Sequence, residues 1–181
     1  AIVTGGAKKT GLCYGMAVAL HDAGAEIVIL DANSQVENTV AELGGAKSGY
    51  HAVVANLLDL NDLSNGFQQA ISALGGRLDI LVNGAGLQYR CPSEEFPEDA
   101  WDRIMGVNIK GVFFMSQLAG KVMLKQGKGK IINIASTNSF IGLRNMPAYV
   151  SSKGGVKQLT MALSSEWSGR GINVNAIAPG Y

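Results

Sequence analysis

Residues 1–20 read AIVTGGAKKTGLCYGMAVAL: an apolar β-branched run, a glycine-rich turn, then small and apolar residues at helical spacing. Strand, glycine loop and helix in that order are how an α/β sheet offers backbone N–H groups to a phosphate at a helix N-terminus. Such a loop needs glycines for a tight turn off the strand, for close approach to a pyrophosphate and for packing of the helix on the sheet. Gly5 and Gly11 suit the first two duties, and Leu12 beside Gly11 joins them on the cofactor-binding stretch. The third place falls on Cys13, and the loop is two residues longer than the usual pattern. Either the excess, among Ala7 to Thr10, bulges away from the pyrophosphate, or it brings Lys8 or Lys9 onto it.

Working outward, β-branched runs recur at 26–30, 50–55, 78–83, 130–136 and 172–178, giving six strands with the first at 1–4. Helical spacing fills 14–23, 34–43, 60–74, 100–125 and 148–168. Near-continuous apolar strands alternating with helices predict a parallel sheet covered on both faces, a Rossmann-like doubly wound α/β fold in three α/β/α layers. Right-handed crossovers give the strand order 3-2-1-4-5-6, with a ligand crevice at the carboxyl ends of the strands where the order reverses. No repeat or linker interrupts residues 1–181, so one dinucleotide-binding domain is expected.

Asp31 ends the second strand about twenty residues past the loop, where a carboxylate holds the adenosine ribose 2′-hydroxyl and repels a 2′-phosphate. That favours NAD over NADP, with Lys8 and Lys9 weighing the other way as possible phosphate partners. A carboxylate serving only the start of the next helix is the plainer alternative.

A formal charge of +1, without a run of Lys or Arg, offers no electrostatic footprint for nucleic acid. No apolar run reaches the length of about 18 residues that marks a membrane span. Cys13 and Cys91 lack zinc-ligand spacing or a disulfide framework, so no metal is expected and a reducing cytoplasm fits best. His21 and His51 stand without a carboxylate or second His at ligand spacing and read as structural or solvated.

Chemistry concentrates in "PAYVSSKGG", where Tyr149 and Lys153 stand four apart at a helix start and share one face. A tyrosine ordinarily titrates near 10, and bringing one to about 7 takes about 4 kcal/mol of preferential stabilisation of the phenolate. An ammonium one turn away is a credible source. Alone, the pair reads equally as a surface Tyr and Lys; what changes this is Ser136 ending "IINIAS", the turn "NGAG" at 83–86, and Asn108 within "GVNIKG".

With the glycine loop, Ser136 thirteen residues before Tyr149, Tyr-x3-Lys and "NAIAPG" at 175–180, the whole chain resembles the classical short-chain dehydrogenase/reductase family. The resemblance implies that Tyr149 is the general acid/base and Ser136 holds the reacting oxygen. Lys153 would hold the nicotinamide ribose and support Tyr149, and Asn108 would anchor a water that leads protons out through Lys153. Asn83, Gly84 and Ala85 would line the adenosine ribose, Asn56 and Leu57 the adenine, and Pro179 and Gly180 the nicotinamide. It also implies a homo-oligomer, dimer or tetramer, and a chain that stops at Tyr181 before the substrate-covering loop, last helix and seventh strand of its relatives.

Within the family, residues 86–117 and the segments after them look most like the 2-deoxy-D-gluconate 3-dehydrogenase and gluconate 5-dehydrogenase group, oxidoreductases of sugar acids. A small-molecule substrate with a carboxylate is implied, and Arg90 is the residue to meet it, since a guanidinium offers a bidentate fork; a solvent-facing Arg is the alternative. Three departures stand out: Asn56 for the family's aspartate, Gly84 for the second Asn of its turn, and Cys13. They keep two other readings open, an NADPH-dependent 3-oxoacyl reductase and a dinucleotide-binding module without catalysis.

Overall fold

The structure is a computed structural model that describes residues 1–180. Its strands are β1 (Ile2–Thr4), β2 (Ile27–Asp31), β3 (Tyr50–Val54), β4 (Ile80–Asn83), β5 (Gly129–Ile134) and β6 (Ile172–Ile177). All neighbours pair in parallel, in the order β3-β2-β1-β4-β5-β6. This is the doubly wound order expected from the sequence.

Alternation along each strand sends side chains to opposite faces, and both faces are apolar. Ile2, Val28 and Leu30 face one core layer, where α3 (Leu60–Ala73) contributes Phe67, α5 (Val112–Gln126) Met115 and α6 (Pro147–Trp167) Leu163. Val3, Ile27 and Ile29 face the other, under α1 (Leu12–Asp22) and α2 (Gln35–Glu42), which contribute Ala17 and Val36. Asp59 caps α3 by accepting from the N–H groups of Asn61 and Asp62, which satisfies donors the first turn leaves open.

One helix was expected over 100–125, and the structure divides it. After α4 (Glu98–Met105) the chain widens into a π-turn over Gly106–Gly111 before α5 begins. The glycines at its ends allow the loop after β3 to press against it: a Cβ on Gly106 would lie 2.5 Å from Leu58 Cδ2, and one on Gly111 3.1 Å from Leu57 Cβ. The widening carries Asn108 into the interior, where it is 0% exposed.

The order reverses between β1 and β4, so the loops after β1, β2, β4 and β5 open on one crevice. Among the described residues no helix is long and apolar enough to cross a membrane.

Candidate active site

Gly5 turns the chain off β1 with φ +85°, a left-handed conformation that favours glycine. A Cβ there would lie 2.7 Å from Ala85 Cα, so the loop packs backbone on backbone against the turn after β4. The Gly5 N–H donates to the Leu30 carbonyl at 2.9 Å, and the Gly11 N–H closes the lengthened turn onto Lys8 O at 2.9 Å. Ala7 donates its N–H to Asp31 Oδ2 at 3.0 Å, and Lys9 pairs with Glu42 on α2. The excess therefore leans onto α2, taking Lys9 with it, while Lys8 stays on the crevice wall beside Asp31.

The crevice consists of two adjoining cavities that share Gly84, Gly86 and Leu87. The larger, about 530 Å³, is walled by Gly5, Gly11, Asp31, Asn56, Leu57 and Ala85. The other, about 410 Å³, gathers Leu12, Ser136, Tyr149 and Lys153, with Pro179 and Gly180 on one side and Arg90 on another. A glycine cradle that a Cβ would fill, leading from one cavity into the next, fits a dinucleotide laid across the sheet reversal. Gly86, the last residue of the NGAG turn, and Leu87 at the junction were given no role of their own from sequence. A Cβ on Gly86 would lie 3.5 Å from Asn108 Oδ1 and 3.7 Å from Lys153 Nζ, a closeness that only the folded chain reveals.

Two predicted residues turn away from the crevice. The Asn83 side chain points into the core, donating from Nδ2 to Ser116 Oγ and to Asn133 Oδ1, both at 2.9 Å. Asn133 passes the chain on to Thr160 Oγ1 at 2.9 Å, so Asn83 ties β4 and β5 to the helices above them and leaves Gly84 and Ala85 to line the cavity. Asn83 Oδ1 is buried without a partner. Asn108 likewise spends its amide internally: Oδ1 accepts from the Leu87 N–H at 2.7 Å, and Nδ2 donates to Leu87 O at 2.9 Å and Ser152 Oγ at 3.0 Å. Its side chain braces the junction of the two cavities from behind.

Asn56 is exposed on the wall of the larger cavity; its Oδ1 accepts from the Leu58 N–H at 3.0 Å and its own N–H donates to Asp62 Oδ2 at 2.8 Å. Asp31 accepts at Oδ1 from the Asn33 N–H at 2.9 Å besides the Ala7 bond at Oδ2. A carboxylate carries about four lone-pair positions, so each oxygen keeps one for a ligand.

In the second cavity Ser136 sits just past β5 and accepts at Oγ from the Asn138 N–H at 3.1 Å, which leaves its own hydrogen available to donate. Lys153 is 4% exposed and donates to Ile134 O at 2.6 Å. Its Nζ lies 5.8 Å from the centroid of the Tyr149 ring. Burial pushes the Lys153 ammonium down to about 8, with the neighbouring Cys13 opposing. Burial likewise pushes the Cys13 thiol up, so that sulfur is a packing atom rather than a thiolate nucleophile.

A glycine-cradled crevice at the sheet reversal, running into a cavity that holds Ser, Tyr and a buried Lys, defines a dinucleotide-dependent oxidoreductase of the doubly wound class. The family model described as short chain dehydrogenase matches residues 1–181, and the chain belongs to that family. It is an oxidoreductase acting on CH–OH groups with a nicotinamide dinucleotide. The chain is 43% identical to a 2-dehydro-3-deoxy-D-gluconate 5-dehydrogenase of Escherichia coli, over 100% of this chain and 70% of the relative. It is 35% identical to a gluconate 5-dehydrogenase of Gluconobacter oxydans, again over 100% of this chain and 70% of the relative. Among solved structures, a gluconate 5-dehydrogenase from Burkholderia cenocepacia in complex with NADP and tartrate superposes with a TM-score of 0.91 at 33% identity, over 99% of this chain and 70% of that one.

Proposed function

We propose that this chain transfers hydride between NAD(H) and a secondary alcohol or ketone of a sugar acid, of the gluconate or 2-dehydro-3-deoxy-D-gluconate type. The observation that carries the reading is the gathering of Ser136, Tyr149 and Lys153 around one cavity that Arg90 also walls. When bound, the nicotinamide supplies the hydride acceptor or donor for the substrate carbon. In the oxidative direction Tyr149 takes the hydroxyl proton, while Ser136 donates a hydrogen bond to the same oxygen and fixes it. Lys153, anchored on Ile134 O, gives the phenolate a positive neighbour and keeps further N–H donors for the nicotinamide ribose. The Arg90 guanidinium receives the carboxylate.

Relatives at 35 to 43% identity that act on gluconate and its dehydro-deoxy derivative support the substrate class. NAD is preferred because Asp31 lines the adenosine side, where its charge repels a 2′-phosphate; the NADP bound by a related enzyme makes this a choice to be measured.

Steady-state assay of sugar acids beside uncharged polyols, with NAD and NADP in parallel, tests the reading. Turnover on a sugar acid is expected, and Tyr149→Phe lowers kcat by at least about 10²-fold while NADH affinity stays within a few-fold. Tight NADH binding with no turnover on any acid or polyol would place the chain with the binding modules instead.

A further inference from the structure

The glycine loop is tethered on its outer side by a residue that lines neither cavity. Thr39 on α2 is 2% exposed and donates its hydroxyl hydrogen to Ala7 O at 2.6 Å. The N–H of the same Ala7 donates to Asp31 Oδ2 at 3.0 Å, so both backbone polar groups of this buried residue are engaged by the β2–α2 segment. Three residues beyond Thr39, on the same helix face, Glu42 pairs with Lys9. All these contacts fall between Gly5 and Gly11, on the stretch that carries the two-residue excess.

We propose that Thr39 is a positioning residue for dinucleotide binding. Acting through Ala7, it fixes the lengthened loop so that the backbone between Gly5 and Gly11 is held ready for the pyrophosphate, and Asp31 shares that task with its ribose contact. The proposal rests on the reading of the crevice as the dinucleotide site. A longer loop samples more conformations, and pinning its buried carbonyl removes much of the ordering that binding would otherwise require. Without the hydroxyl, Ala7 O is buried with no partner and the loop must shift to satisfy it. The pyrophosphate is common to NAD and NADP, so a residue behind the loop affects both alike, whereas a residue that reads the ribose separates them.

The test is fluorescence titration of NADH and of NADPH on wild type, Thr39→Val and Thr39→Ser. Thr39→Val is expected to weaken both dinucleotides by one common factor of about 5- to 20-fold, the scale of one lost buried hydrogen bond, and Thr39→Ser to return both to within about twofold of wild type. Binding stoichiometry stays at wild-type level, and in turnover the loss falls on the dinucleotide KM rather than on kcat. Unchanged affinity in Thr39→Val, a loss confined to one dinucleotide, or a Thr39→Ser variant as weak as Thr39→Val overturns the proposal. If Thr39→Val does not fold, Thr39→Ala is titrated against the same outcomes. A wild type that binds neither dinucleotide overturns the reading of the crevice together with this proposal; a wild type that binds, beside an unaffected Thr39→Val, overturns this proposal alone.

Discussion

The Cys13 sulfur occupies the space into which a side chain at Gly84 would project: a Cβ built on Gly84 overlaps Cys13 Sγ and comes within 3.1 Å of Thr4 O. Two departures from the family pattern, a cysteine where the loop has glycine and a glycine where the β4 turn has asparagine, are thus one steric exchange. The sulfur fills the gap that the missing side chain leaves in the shared wall of the two cavities. Gly84→Ala alone should cost about 1–3 kcal/mol by overpacking, and Cys13→Gly alone about 1–2 kcal/mol from lost burial and a helix glycine. The double variant should recover at least about 1 kcal/mol of their sum, as expected of residues in contact. Urea unfolding of the four proteins measures that coupling, and strictly additive losses would refute it.

Asn108→Ala removes three hydrogen bonds made by a residue with 0% exposure. A loss of about 2–3 kcal/mol is expected, since both polar groups of Leu87 lose their partner and the Ser152 hydroxyl, which still donates to Tyr149 O, no longer accepts a hydrogen bond. Because Leu87 and Gly86 wall both cavities, turnover should fall further than the lost stability accounts for. Urea midpoints beside kcat/KM separate the two effects.

Lys153 gives a pH signature. Burial holds its ammonium down to about 8 from the usual 10.5, so between those values the unfolded chain binds a proton that the folded chain has released. Folding stability gains from this group as pH rises through that window, and the whole penalty of burying the charge is felt below it. Lys153→Met removes a penalty of about 3 kcal/mol and loses a hydrogen bond worth about 1 kcal/mol, for a net gain of about 2 kcal/mol below pH 8 in the absence of dinucleotide. The advantage should shrink as pH rises toward 10.5. Denaturation midpoints of the two proteins across pH 7 to 10 check it, and a difference constant with pH would show that the lysine is not carrying its charge into the core.

The strand order was legible because β-branched runs and glycine turns punctuate the chain regularly, and a parallel sheet with right-handed crossovers leaves few alternatives. That Ser136, Tyr149 and Lys153 would come together at one cavity was legible from spacing and company. The inward turn of the Asn83 side chain was not foreseen, although strand parity held the answer: Leu81 faces the core layer under α5 and Val82 the opposite one, so the next residue returns to the α5 side, where Asn83 meets Ser116. The π-turn was not legible, because the contacts that allow it, Gly106 and Gly111 against Leu58 and Leu57, join segments about fifty residues apart. Thr39 is hidden for the same reason, since its partner Ala7 lies thirty-two positions away.

Arg90, which lines the second cavity, stands in a loop that is clipped to the chain before α6. The N–H of the next residue, Cys91, donates to Asn145 O at 2.9 Å, joining the loop after β4 to the segment before α6. Asn145 has φ +62° and among the described residues is the one non-glycine in the left-handed region, which asparagine tolerates and a β-branched residue does not. Arg90→Ala should raise the KM for a sugar acid about 10- to 100-fold, the worth of a hydrogen bond to a charged group, and leave the kcat/KM of an uncharged polyol unchanged. Asn145→Gly preserves the clip and should behave as wild type, whereas Asn145→Val strains it by about 1–2 kcal/mol and should raise the acid KM in the same direction as Arg90→Ala. Steady-state kinetics on an acid and a polyol side by side decide the matter: equal losses on both substrates would mean that Arg90 supports the loop and reads no carboxylate.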